Sequence, residues 1–205
     1  PSPTPTPDQS TSFGPVVFAD TFETNRGWEV GADATGGTSL VQGGLTLTVQ
    51  PGGGWRIALA PAPAVGDFYL EVSLRTEVCG PRDEYGLMFR VGPDLSHYRF
   101  TLTCDGGARV TLVLPDTARG LVPLTLTHDV IPGAPADNRL AIWASGSTFR
   151  FYLNGVEAFS ARNRLLTSGG IGFLVRSRSG GQVTVTFDNL VLRALVPTPA
   201  PSPQP

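Results

Sequence analysis

An all-β fold of two stacked antiparallel sheets is predicted by three features of this sequence. Apolar and polar residues alternate with a period of two through most of its length. Turn signals built from Gly, Pro, Asn-Gly and Asp-Gly separate the alternating runs. No amphipathic helix of ordinary length interrupts them. Short strands with one apolar and one polar face suit two packed sheets whose outer faces meet solvent.

The elements follow in order. Residues 16–22 (VVFADTF) form the first strand, with Phe18 and Phe22 bracketing Asp20. Arg26-Gly27-Trp28 is a turn that delivers a large aromatic to the core edge, and 32–37, small and polar, is a loop. Residues 45–49 alternate strictly, with Leu45, Leu47 and Val49 inward. Residues 55–59 place Trp55, Ile57 and Leu59 on one face. Pro61 and Pro63 rule out a central strand beyond them, because proline has no N–H for the ladder. Residues 68–74 put Phe68, Leu70, Val72 and Leu74 inward and Tyr69, Glu71, Ser73 and Arg75 outward.

Residues 85–91 set Tyr85, Leu87, Phe89 and Val91 against Met88 and Arg90. Residues 98–103 set Tyr98, Phe100 and Leu102 against Arg99 and Thr101, and Asp105-Gly106 turns the chain into a strand at 110–114. A strand at 121–130 is interrupted by Pro123. The clearest stretch is 139–160, RLAIWASGSTFRFYLNGVEAFS. Leu140 and Ile142 share one side. Phe149, Phe151 and Leu153 share another, opposite Arg150, Tyr152 and Asn154. Ser145-Gly146 and Asn154-Gly155 fall where the chain must reverse, and Asn-Gly accepts the positive φ of a type I′ turn. Three antiparallel strands result. Residues 170–175 form a Gly-spaced strand. In the last strand, 183–192, the inward parity switches between Phe187 and Leu190, which predicts a β-bulge near Asp188-Asn189.

Both ends are low in complexity. Residues 1–12 and 196–205 are rich in Pro, Thr and Ser and read as extended spacers, leaving 13–195 as one β domain. The net charge is −2 and the sequence pI is near 5.6; all 15 basic residues are Arg, and they are scattered. That distribution argues against a nucleic-acid partner. No apolar run is long enough to span a bilayer. The chain starts at Pro without Met, which suggests a removed leader or anchor, or an excised piece. Cys79 and Cys104 could be free core thiols in a cytosolic protein. The spacers, the absence of Lys and the β-rich pattern favour export, and so a disulfide between them.

Several short motifs recur in a telling order. They are F-x-D-x-F with G-W (Phe18, Asp20, Phe22, Gly27, Trp28), G-G-L-T-L (43–47), N-R-L with F-Y-L-N-G (138–140 and 151–155), G-G-I-G-F (169–173) and F-D-N-L (187–190). With these the chain resembles the concanavalin A-like lectin/glucanase sandwiches. More narrowly, it is similar to bacterial laminin-G-like and 3-keto-disaccharide-hydrolase-like modules of exported proteins. The resemblance implies a jelly-roll sandwich whose curved sheet can present a carbohydrate-binding groove. It also implies that a structural Ca²⁺ can tie the first and last strands, where Asp20 and Asp188 stand; the preferred reading is nevertheless that each Asp bonds nearby backbone amides at a bulge or turn.

Hydrolytic chemistry finds little support in the residues. Glucanases of this fold carry Glu-x-Asp-x-x-Glu, because one carboxylate acts as acid and another as nucleophile or base. The nearest run here is Glu71 to Glu77, with Ser73 where Asp is wanted. Six residues along a strand is about 20 Å, too far for a catalytic pair. No nucleophile elbow is present, and His97 and His128 read as ordinary surface residues.

A sugar site needs aromatic platforms flanked by planar hydrogen-bonding groups. Residues on the polar parity that supply them are Tyr69, Glu71, Arg75, Arg90, Arg99, Trp143 and Tyr152, with Arg56 and Arg150 beside them. The expected protein is a non-catalytic module, extracellular or at the cell surface. It binds a glycan or a cell-surface partner and is tethered by its spacers to other modules or an anchor. The alternatives are a glycoside hydrolase of the 3-keto type and a spacer domain without a small ligand.

Overall fold

The computed structural model describes residues 11–41 and 43–197, and the expected spacers lie almost wholly outside them. No helix forms among the described residues, and none is therefore long and apolar enough to cross a membrane. The first strands are β1 (Thr11–Asp20), β2 (Gly31–Asp33), β3 (Gly36–Val41), β4 (Gly44–Val49) and β5 (Trp55–Leu59). Then come β6 (Phe68–Val78), β7 (Glu84–Val91), β8 (His97–Thr103), β9 (Gly107–Leu114) and β10 (Thr117–Leu126). The last are β11 (Ala136–Ser145), β12 (Thr148–Leu153), β13 (Val156–Arg162), β14 (Gly170–Arg176) and β15 (Val183–Pro197).

They make two antiparallel sheets, one of nine strands and one of six. The larger runs β13-β12-β11-β6-β15-β4-β3-β2, with β1 also paired to β15. The smaller runs β10-β9-β8-β7-β14-β5.

The inward parity of both sheets meets in a single aromatic-rich core. Phe89 packs against Phe68, Tyr98, Phe149 and Phe151. At the other end Phe187, Phe173 and Trp28 form a three-ring stack, with centroids 4.2 and 5.3 Å apart and planes within 8°. Each such contact is worth about 0.5–1.5 kcal/mol beyond the area it buries. Trp28 is thus part of the core, as its turn suggested.

The hairpin from Ala136 to Arg162 forms as its sequence dictates, with Asn154 at φ 51° and Gly155 at φ 90°. Asn154 also accepts from the Arg139 amide and donates to the Asp129 carbonyl. Asn138 pairs both ways with the Ile131 backbone, so both asparagines of the motif tie a loop to this hairpin. The bulge in β15 falls between Asp188 and Val191, with Asn189 at φ 52°.

Two expectations need correction. Residues 32–37 do not form a loop. They enter the β2–β3 hairpin, because β4 offers β3 a complete ladder that outweighs the weak strand preference of Gly and Thr. His97 is not an ordinary surface residue. It is buried and its Nδ1 donates to the Leu95 carbonyl at 2.6 Å, and burial pushes its pKa down. His128 does lie on the surface.

Pro123 sits in β10, the outermost strand of the smaller sheet. The register with β9 slips between Val122 and Thr125, so no ladder bond is asked of its missing N–H.

The F-x-D-x-F motif has a physical cause. Asp20 is buried and accepts from the Phe22 amide and from Trp28 Nε1, both at 2.8 Å. The first bond holds Phe22 at φ 57°, a conformation that a bulky residue adopts only when its surroundings impose it. Replacing Asp20 by Ala is expected to cost about 2–3 kcal/mol, since it leaves a buried indole N–H unpaired and releases that turn. Thermal unfolding would fall by roughly 5–10 °C for a domain of this size. An unchanged midpoint would refute this role.

Candidate functional site

The polar-parity residues named from sequence are divided between the two sheets. Tyr69, Glu71, Trp143 and Tyr152 come together on the outward face of the larger sheet. Trp143 stands opposite Tyr69, and Ala141 lies between Glu71 and Tyr152. They line a cleft of about 280 Å³ with Phe13 and Arg139. The cleft is largely satisfied from within. Tyr69 donates to Glu71 at 2.6 Å, Phe13 meets the Tyr69 ring edge-on, and Arg150 lies 4.8 Å over the Trp143 ring. Trp143 is consequently only 7% exposed. Burial, and then the Glu71 carboxylate, push the Tyr69 pKa up, so it stays a donor.

Arg75 lies in the neighbouring depression, ion-paired to Asp137 at 2.8 Å and Glu77 at 3.1 Å.

Arg90 and Arg99 belong to the smaller sheet. Arg90 sits at a register slip between β7 and β14, with φ 50°, and its side chain is completely buried. It donates to the Gly66 and Leu166 carbonyls, both at 2.9 Å, and lies over Phe149. Arg90 therefore joins two loops across the end of the sandwich.

Arg99 faces outward, and around it is an arrangement the sequence reading missed. On this face β7 presents Glu84, Gly86 and Met88, β8 presents Arg99, Thr101 and Thr103, and β9 presents Arg109 and Thr111. β14 adds Gly172, Leu174 and Arg176, and β5 adds Trp55, Ile57 and Leu59. The register puts Arg176 between Glu84 and Trp55, and Thr101 between Gly86 and Arg109. Small and apolar residues thus form the floor: Gly86, Gly172, Thr101, Met88 and Leu174. Cβ atoms on Gly86 and Gly172 would strike the neighbouring Phe100 and Ala58 carbonyls, at 2.2 and 2.7 Å, which keeps those positions bare.

Larger groups stand around the floor. Trp55 is 56% exposed. Arg109 reaches across β8 to both oxygens of Glu84 at 2.5 Å, and Arg178 pairs with the same carboxylate. Arg99 and Arg176 have no hydrogen-bond or ion-pair partner among the described residues. Burial, and then the neighbouring arginines, lower the Arg176 pKa. For Arg99 burial acts first, Glu84 opposes it, and the other arginines add to the lowering. The Nε atoms of Arg99 and Arg109 and the hydroxyl of Thr101 are buried without partners.

The loop carrying Arg178 is held by Asp83, which is fully buried next to Glu84. Its carboxylate accepts from the amides of Gly80, Arg178 and Ser179, at 2.6–2.7 Å. Cys79 and Cys104 form a disulfide beside it, joining the end of β6 in one sheet to the end of β8 in the other.

The signal for this face was present but divided. Trp55, Ile57 and Leu59 share a parity, Arg176 closes β14, and Arg178 follows two residues later. Only the pairing of β14 with both β5 and β7 brings them together.

The calcium that the resemblance allows between the first and last strands does not suit the groups found there, and the Asp carboxylates bond N–H groups instead. Both Asp20 oxygens accept N–H donors, Asp188 accepts from the amide and side chain of Asn189, and Arg26 occupies the Ala19 carbonyl. No group of three or more His, Cys, Asp or Glu residues among the described residues is placed to hold a metal.

No protein-family model matches the chain, and no curated protein sequence does. Solved structures match its backbone. The carbohydrate-binding module CBM66 from Bacillus subtilis superposes with TM-score 0.68 at 19% identity, covering 82% of this chain and 96% of that one. A β-1,3-1,4-glucanase (lichenase) derived from a mouse hindgut metagenome gives 0.65 at 12%, covering 86% and 98%. The catalytic domain of a Thermotoga petrophila endo-1,3-β-glucanase gives 0.63 at 8%, covering 89% and 98%. The fold is therefore the concanavalin A-like jelly-roll sandwich, shared by binding modules and by hydrolases.

Proposed function

We propose that this chain is a carbohydrate-binding module, exported and without catalytic activity, whose ligand lies on the outward face of the six-stranded sheet. The observation that carries the reading is Trp55, exposed directly beside Arg176 across the β5–β14 pair. An exposed indole offers a flat apolar surface to the face of a sugar ring, and adjacent guanidinium groups donate to its oxygens. This face is preferred to the Tyr69–Trp143 cleft because there the indole is already covered by Arg150.

Binding is favoured over cleavage by the acids available. Glycoside hydrolysis needs two carboxylates about 5–10 Å apart. The strands of this face contribute one, Glu84, and it is already paired with Arg109 and Arg178. The similar folds of a carbohydrate-binding module and two glucanases agree with a glycan ligand. The Cys79–Cys104 disulfide agrees with an oxidising compartment.

The test is Trp55→Ala in affinity electrophoresis or calorimetry against a polysaccharide panel. Retardation by the bound polysaccharide should weaken by roughly tenfold or more, as for a truncated aromatic anchor. The thermal midpoint should hold, because the residue is exposed and packs little. Unaltered binding would exclude this face.

A further inference from the structure

The smaller sheet's outward face carries more positive charge than its own carboxylate can balance. Arg99, Arg109, Arg176 and Arg178 surround a single acid, Glu84. Two of the four, Arg109 and Arg178, are committed to it. The other two, Arg99 and Arg176, end without a partner among the described residues. Beneath them the hydroxyl of Thr101, a residue with no exposed surface, is also unpartnered, as is Arg99 Nε. Buried polar groups are normally paired, and a cluster left open on one face marks what an incoming group would supply. Arg99 and Arg176 flank the floor on either side of β7, one on β8 and the other on β14 beside Trp55.

We infer that the sugar bound here is anionic, its carboxylate or sulfate held by Arg99 and Arg176 while the ring rests against Trp55. The inference rests on the carbohydrate-binding reading above and specifies the class of its ligand. A guanidinium presents a planar fork of N–H donors that fits an oxyanion through two parallel bonds, where a neutral hydroxyl fills only one. Glu84 engages Arg109 and Arg178, which leaves Arg99 and Arg176 as the two guanidinium groups of this face without a partner among the described residues. The same carboxylate repels a ligand whose negative charge lies out of register.

The experiment compares matched polymers by affinity electrophoresis and calorimetry: dextran against dextran sulfate, polygalacturonate against its methyl ester, and poly-glutamate as a polyanion without sugar. The expected result is binding to polygalacturonate or dextran sulfate, whichever oxyanion the two arginines take, at least tenfold tighter than to its neutral counterpart. That binding should weaken steeply with added salt. Arg99→Gln and Arg176→Gln should each weaken it by roughly 10- to 100-fold, the worth of a charge-assisted pair. Arg162→Gln, on the edge strand of the opposite sheet, should change nothing.

Equal binding to neutral and charged polymers, sensitive to Trp55→Ala, would overturn the anionic ligand and leave the carbohydrate reading standing. Equal binding to poly-glutamate would mean that the face reads charge alone and would overturn the assignment to a sugar. Binding to none of the polymers would overturn the inference, and the same result across the neutral panel would remove the carbohydrate reading as well. Circular dichroism of each variant separates lost binding from lost folding.

Discussion

Replacing Asp83 by Ala should destabilise the domain more than any other single change considered, by about 3–5 kcal/mol. The carboxylate has no exposed surface and accepts three backbone N–H bonds, from Gly80, Arg178 and Ser179. Alanine leaves three amides without partners in a place water does not reach. It also frees the segment that carries Arg178 to Glu84. Urea unfolding measures the loss. A decrease below about 1 kcal/mol would contradict the role given to this residue. Asp83→Asn supplies a control. It keeps one acceptor and loses the charge, so it should fall between wild type and Asp83→Ala. Any mutant that stays folded should bind ligand less well than wild type, because Arg178 no longer helps Glu84 hold Arg109 aside.

Removing the disulfide by the paired change Cys79→Ala and Cys104→Ala is the second large effect. The bridged residues are 25 apart in sequence. Loop closure of that length favours the folded state by about 3–4 kcal/mol in the chain-entropy account. The bond links the two sheets, so its loss should also loosen their mutual packing at that end. Differential scanning calorimetry under oxidising and reducing conditions should report a fall of roughly 6–14 °C for the wild-type protein when the bond is reduced. The double variant should show no further fall on reduction. A wild-type midpoint indifferent to reductant would refute this contribution.

What the sequence disclosed, and what it withheld, follows from what a period of two encodes. It tells which side of a strand a residue is on. It also registers a slip, so the β15 bulge was legible from the parity change between Phe187 and Leu190. Turn chemistry was legible at Asn154-Gly155 because only certain residues accept positive φ there. Alternation carries no information about sheet membership. Tyr69 and Arg99 have the same polar parity, yet they lie on outward faces of opposite sheets. Arg90 shares that parity too, but the slip next to it turns its side chain inside. The β2–β3 hairpin was hidden because Gly36 and Gly37 bring no side chain to read, and the pairing comes from β4. The arginine-lined face was hidden because its members come from β5, β7, β8, β9 and β14, which the topology alone places in order.

The β10 edge of the smaller sheet has a further consequence. Leu124 and Leu126 of β10 are 52% and 69% exposed on a strand with no neighbour on its far side among the described residues. A bare margin of this kind invites another chain to add itself, copy upon copy, toward fibrous growth. Pro123 stands among those leucines with no hydrogen to offer. The ladder such growth requires is interrupted in the middle of this strand, so replacing Pro123 by Thr should make concentrated solutions more prone to cross-β assembly, as thioflavin fluorescence would report.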